Sequence, residues 1–220
     1  MKLELRPPWL LYRFDAPHDT LSWAIVGGGY RSDRRSVAWL NVTGADLAPP
    51  IDPEQLLASR LESIGESSAV GMLTSRRIEA FTEAQAEHDG VEAYCTATVG
   101  LSNALRCGDP PGDLMASGTI NLLVRLSAPL TSEAMVEALS IAVEARTAAV
   151  FEAGFPSRLS DRTASGTGTD CVVIAAPVEG ERLAYAGMHT TAGCVVGAAV
   201  EEAIGRGVSD WLDERRQRGQ

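Results

Sequence analysis

The stretch TINLLVRLSAPLTSEAMVEALSIAVEARTAAVFEAG, residues 119–154, holds a strand, a helix cap and a long helix in succession. Residues 119–126 are rich in branched apolar side chains with little alternation, which predicts a strand buried on both faces. Thr131, behind Leu130, suits a helix N-cap, and Gly154 suits the stop. Between them Val136, Leu139, Val143 and Val150 recur on one face, with Glu133, Glu137 and Glu144 mostly elsewhere. Downstream, 171–176 reads as a second buried strand and 183–186 as a short one. Residues 195–204 form a helix that Gly205 should stop, and 208–215 a last short helix before a frayed tail over 215–220. Upstream, strands are predicted over 2–6, 9–14, 21–26, 36–42, 69–74, 78–86 and 91–99. One helix interrupts them: Asp52 is its cap, Pro53 takes its first position, Gln55 completes a capping box and Gly65 ends it. This order is not a regular alternation of strand and helix. It predicts an α+β fold, one globular domain over 1–220, with a mixed or mostly antiparallel sheet packed by about three to four helices.

At 220 residues the chain can bury about 70% of its unfolded surface, so a core needs no staple. Asp and Glu number 29 against 19 Lys and Arg, a net charge of -10. No basic stripe is present, which argues against a nucleic-acid partner and an anionic membrane surface. No apolar run is long enough to span a bilayer, and residues 1–9 lack the apolar centre of a signal peptide. Cys95, Cys107, Cys171 and Cys194 have no paired spacing and are expected to be reduced thiols in a cytoplasmic setting. Cys171 and Cys194 read as core, Cys107 as more exposed.

The most unusual local sequence is ASGTGTD, residues 164–170. Gly166 and Gly168 allow backbone N–H groups to approach a ligand, Thr169 offers a hydroxyl, and Asp170 stands at a strand entrance. The same residues also suit an ordinary turn whose acid caps the backbone. The run is neither a P-loop nor a dinucleotide fingerprint. Of three histidines, His18 lies in a polar loop and His88 in a hairpin turn. His189, in AGMHTTAG, lies between a predicted strand and a helix start that Thr190 or Thr191 can cap, a place suited to proton transfer. In VGLSNALRCGDP, residues 99–110, Asn103 can serve an amide or its oxyanion, Ser102 can cap or attack, and Asp109 can be a site carboxylate or a turn former. Asn121 is an amide inside an apolar strand and must be paired, by the fold or by a substrate. No paired metal-ligand spacing is present; His189 with Asp170 or Asp109 is the one combination that could hold a metal, and the expectation is none. The four tryptophans are core or cavity walls.

Six stretches together resemble the adenosylcobinamide amidohydrolase family of the CbiZ type: VGMLTSR (70–76), TATVGLSNALRCGDP (96–110), GTINLLV (118–124), EALSIAVEARTAAV (137–150), ASGTGTDCVVIAAP (164–177) and YAGMHTTAG (185–193). The resemblance spans residues 20–205. It implies hydrolysis of the amide joining a corrin propionate to aminopropanol, turning adenosylcobinamide into adenosylcobyric acid. It implies a corrinoid small-molecule partner that brings its own cobalt, with no cofactor required by the protein. By matching motifs it carries over Ser102, Asn103, Asp109, Asn121, Glu144, Thr169, Asp170 and His189. Two departures stand out: WAIVGGG (23–29) where small polar residues usually precede a glycine pair, and Arg146 where lysine is commoner. The resemblance brings no catalytic roles with it; on physical grounds His189 would activate a water, Asp170 orient His189, and Asn103 with the 166–168 backbone receive the oxyanion. A covalent route through Ser102 or Thr169 is the variant. Substrate walls are expected from Trp23, Trp39 or Met188, and a homodimer is compatible with so large a ligand. A non-catalytic corrinoid binder and a hydrolase of another amide are the alternatives.

Overall fold

Alternation within the strands decides where they sit. The computed structural model describes residues 2–112 and 118–219. An eight-stranded mixed sheet runs β4 (Val70–Thr74), β3 (Gly29–Asn41), β2 (Trp9–Ser22), β10 (Cys171–Pro177), β8 (Ile120–Leu126), β6 (Val91–Val99), β5 (Phe81–His88), with β1 (Lys2–Arg6) also on β2. The β3–β4 and β8–β10 pairs are parallel and the others antiparallel. A second, two-stranded sheet pairs β7 (Ala104–Leu105) with β9 (Gly166–Thr167). With three helices among the described residues, the first being α1 (Pro53–Ser63), this is the expected α+β architecture.

Along β10 the period of two sends Val172, Ile174 and Ala176 to one core and Cys171, Val173 and Ala175 to another. The first core lies under α2 (Ser132–Glu152) and α3 (Thr191–Gln217); the second lies on the opposite face with Tyr12, Trp39 and Met72. Strand β8 is buried on both faces, as its branched composition requires. Each large aliphatic side chain removed from water contributes about 2 kcal/mol, and two buried faces on β8 and β10 make this the most cohesive part of the sheet. The sheet also curls. Asn121 on β8 donates to the Leu73 carbonyl of β4 at 2.6 Å, although three strands separate β4 from β8 in the sheet order.

Several local expectations change. Segments 9–14 and 21–26 do not form two strands: residues up to Ser22 belong to one strand, β2, whose register shifts twice around His18. Residues 78–80 form a short 3-10 turn ahead of β5, and 183–186 contribute a single bridge, Leu183 to Leu130, rather than a strand. Thr131 does cap α2, accepting from Ala134 N at 3.2 Å. Of the expected face, Val150 is buried, Leu139 and Val143 are half-buried against the core and Val136 is exposed; the helix also buries Ala134, Ala138, Ile141, Ala142 and Ala149. Small residues win this face because they let α2 lie close to its neighbours; on α3 the residue opposite Ile141 is Gly197, where a Cβ would stand 3.7 Å from Ile141 Cγ2. Gly205 does not stop α3. The helix passes through it and Gly207 to Gln217, joining the two helices expected here; Gln220 lies outside the described residues. A Cβ on Gly207 would stand 2.6 Å from Val99 Cγ2, so its absence lets the helix rest on β6. Cys194 is exposed rather than core, whereas Cys95 and Cys171 are buried. Among the described residues no helix is long and apolar enough to cross a membrane.

Candidate active site

The turn before β10 is assembled around one carboxylate. Asp170 Oδ1 accepts from Ile120 N at 3.0 Å and from the Thr167 hydroxyl; Oδ2 accepts from Thr167 N at 2.9 Å and from Arg146 Nη1. Both side chains of the Arg146–Asp170 ion pair are buried. Burial alone pulls the Arg146 guanidinium below its ordinary value, and the carboxylate in contact with it opposes that pull. Gly166 makes the pair possible, since a Cβ there would stand 2.5 Å from Asp170 Oδ2 and 2.8 Å from Arg146 Nη1.

The β7–β9 pairing brings the SN and GTGTD stretches together. Asn103 O accepts from Gly168 N at 3.3 Å, and a Cβ on Gly168 would press within 2.8 Å of Asn103 Nδ2. Thr119, at the entrance of β8, places its hydroxyl 2.7 Å from Thr169 O and 3.2 Å from Asn121 Oδ1. Its single proton serves one of these acceptors at a time.

This assembly forms the floor of a cavity of about 530 Å³. Thr119, Asn121, Gly168, Thr169 and Asp170 line one side; Met72 to Thr74 of β4, Ser75 after it and the loop after β3 close another. The mouth is apolar. Trp23 and Ile25 line it at 47% and 39% exposure, and the Trp23 indole donates to Asp170 O at 2.5 Å. The Thr169 hydroxyl is loosely engaged, 3.4 Å from Gly118 O. Cys171 also lines the cavity, but burial pushes its thiol up to about 12, so it stays protonated and is no nucleophile at neutral pH.

Of the residues singled out in the sequence, Asn121, Gly168, Thr169 and Asp170 meet at this cavity, with Gly166 and Asn103 directly behind it. Ser102 is exposed and outside the cavity wall. Asp109 belongs to a separate cluster: it accepts from Ser157 Oγ at 2.5 Å, Arg162 Nη2 at 2.8 Å and Arg106 N at 2.9 Å, which together hold its carboxyl well below the usual range. Glu144 is on the exposed face of α2, accepting from Ser140. His189 is also exposed and stands at the far end of β10 from Asp170. The loop that carries it is tied to the start of α2 through Ala186 N and Glu137 Oε2 at 2.6 Å, and β10 separates the two ends by about 20 Å. The structure therefore does not form the expected His189–Asp170 pair. Of the expected walls, Trp23 lines the cavity, Trp39 is core and Met188 is 70% exposed outside it.

Arg146 and Thr119 were not singled out as site residues. Arg146 carries a signal in retrospect: it is the one basic residue of α2 and falls on the buried stripe of Ala138, Ala142 and Ala149. Among the described residues no three His, Cys, Asp or Glu side chains gather as a metal cluster.

The fold and cavity define an α+β protein with a hydroxyl- and amide-floored pocket at the entrance of two parallel strands, supported from beneath by a buried ion pair. The chain belongs to the adenosylcobinamide amidohydrolase family, CbiZ, which it matches over residues 1–216, and with it to the carbon–nitrogen hydrolases. It is 31% identical over 195 residues to an adenosylcobinamide amidohydrolase of Halobacterium salinarum, covering 84% of this chain and 77% of that one. It is 28% identical over 151 residues to the uncharacterized protein MJ1613 of Methanocaldococcus jannaschii, covering 60% of this chain and 59% of the other. Among solved structures, the PH0078 protein of Pyrococcus horikoshii matches with a TM-score of 0.47 and 14% identity, covering 89% of this chain and 74% of that chain. That likeness is too loose to place residues.

Proposed function

We propose that the cavity is where the chain hydrolyses the amide between a corrin propionate arm and aminopropanol in adenosylcobinamide, releasing adenosylcobyric acid for cobalamin salvage. One observation carries this reading: a floor of Thr119, Asn121 and Thr169, pinned over the Arg146–Asp170 pair, opens onto an apolar mouth formed by Trp23 and Ile25. A 530 Å³ pocket suits the amide arm, while the larger ring lies against the exposed Trp23 and Ile25. Cobalt arrives with the substrate and needs no ligand from the protein.

Hydrolysis adds water oxygen to the amide carbon, breaks the C–N bond and delivers the water's protons to the departing amine and solvent. Asp170 is a poor base for this step, because both its oxygens already accept two hydrogen bonds each. Its part is to hold the turn. Thr169 is the hydroxyl free enough to meet the scissile carbonyl, either donating to the developing oxyanion or attacking that carbonyl to form an acyl ester on Oγ1. In the second case the hydroxyl proton leaves on the departing amine, and water then hydrolyses the ester to the acid and the free threonine. Asn121, which gives one of its two amide N–H groups to Leu73 O, keeps β4 and β8 at the spacing that shapes the pocket.

Metal-depleted protein should convert adenosylcobinamide to equal amounts of cobyric acid and aminopropanol, read by mass spectrometry. Thr169→Val should lower kcat by about a hundredfold, and intact mass of protein quenched during turnover distinguishes an acyl ester from direct attack by water. Binding without product would leave a corrinoid binder; neither binding nor product would point to a different amide.

A further inference from the structure

Arg146 is a buried cation in line with Ala138, Ala142 and Ala149 on the buried face of α2, and among the described residues Asp170 is the carboxylate that contacts it. The same carboxylate accepts from Thr167 N and Thr167 Oγ1 in the turn and from Ile120 N at the start of β8. One ion pair thus joins α2, the 166–170 turn and β8. The residue next to Asp170 is Thr169, which lines the cavity; its carbonyl is held by Thr119 and its hydroxyl lies 3.4 Å from the carbonyl of Gly118, another lining residue. The space at Gly166 is filled from both sides by Asp170 and Arg146, so the contact is built into the packing of the turn. Without the guanidinium, a buried carboxylate would have to take a proton or draw in water, and either change gives up an acceptor that now holds the turn.

We propose that Arg146 is a positioning residue: through Asp170 it fixes the turn that presents the Thr169 hydroxyl to the scissile amide. This rests on the cavity being the site of amide hydrolysis. The role calls for a loss in kcat rather than in substrate capture, because Arg146 lies behind the turn and lines no part of the cavity.

The test compares wild type with Arg146→Met, Arg146→Lys and the double variant Arg146→Met/Asp170→Asn. For each, kcat and KM on adenosylcobinamide, thermal unfolding, and hydrogen exchange at the Thr167 and Ile120 amides are measured. Arg146→Met should lose about a hundredfold in kcat with KM changed less than about threefold, and both amides should exchange faster. Arg146→Lys should recover at least about a tenth of the lost rate, since an ammonium restores charge but not the planar fork. The double variant guards against misfolding of Arg146→Met: it removes both buried charges, should unfold near the wild-type temperature, and should stay slow. A folded Arg146→Met or double variant with kcat within about threefold of an active wild type overturns the assignment. A wild type that leaves adenosylcobinamide intact overturns the reading of the cavity instead. The exchange measurement still decides Arg146 in that case, since unchanged protection at Thr167 and Ile120 shows that it does not hold the turn.

Discussion

Asp170 illustrates how a carboxylate at a cavity can serve chemistry without performing it. Two backbone N–H groups, a hydroxyl and a guanidinium occupy its oxygens, so the proton acceptor of the reaction lies elsewhere. His189 does not take that part from where it stands, exposed at the other end of β10. The placement predicts that His189→Ala keeps kcat on adenosylcobinamide within about threefold. A fall of two orders of magnitude in a normally folded variant would show that the 185–190 loop reaches the cavity during turnover. The contrast explains what was legible in the sequence at this scale. Glycines and hydroxyls beside an acid are rare together and marked the turn, and Asn121 stood out as an amide in an apolar strand. Arg146 was hidden, because a lone basic residue on a helix is ordinarily solvated, and only packing reveals that its partner lies 24 positions away.

At the scale of elements, strands and caps followed from local rules while contacts between elements did not. Branched runs marked β8 and β10, and Thr131, Asp52 and Thr190 cap their helices by bonding backbone N–H groups in the first turn. On α2 the small residues share the buried face with Val150, a matter of fit that bulk alone does not show, and α3 runs through a glycine that pattern alone marks as a breaker. Gly205 and Gly207 turn this into a test with opposite signs. Nothing stands within 4 Å of a Cβ built on exposed Gly205, so Gly205→Ala should stabilise the protein by about 1 kcal/mol through helix propensity. Gly207→Ala gains the same propensity but drives its Cβ to 2.6 Å from Val99 Cγ2 and 3.0 Å from Val99 Cβ. Overpacking of that kind costs about 1–3 kcal/mol and should leave a net loss. Urea unfolding of the two variants reads both signs; stabilisation by Gly207→Ala would mean that α3 does not rest on β6 as described. The curl that brings Asn121 to Leu73 was likewise illegible, since it depends on the pairing of strands remote in sequence.

Across the whole molecule, ionic ties join distant segments, and their titration should appear as two separate steps in acid stability. Glu4 is held down to about 2 by Lys2 and Arg13, Asp109 well below the usual range by Ser157 and Arg162, and Glu214 below its ordinary value by Arg76. Glu4 ties β1 to β2 within the first hairpin, Asp109 ties the loop after β7 to the loop after α2, and Glu214 ties the end of α3 to the residues just after β4. Each depressed carboxylate contributes stability that is complete above its unfolded pKa, about 4. That contribution is lost as pH falls through the folded value, because the unfolded chain takes up protons first. His18 acts in a higher window. Burial against Phe14, with its rings stacked at 4.1 Å, and the nearby Arg125 lower its pKa from 6.5, while Nδ1–H donates to Ala16 O at 2.9 Å. The folded protein therefore prefers neutral His18, and stability should begin to fall as pH drops below about 6.5, when the unfolded imidazole protonates. Urea midpoints measured from pH 8 to pH 3 should show a shallow limb starting near pH 6.5 and a steeper one below about pH 4.5. His18→Gln should flatten the upper limb and leave the lower one in place, since His88 and His189 are exposed. An upper limb of unchanged slope in that variant would assign the step to another group and detach His18 from the acid response of the fold.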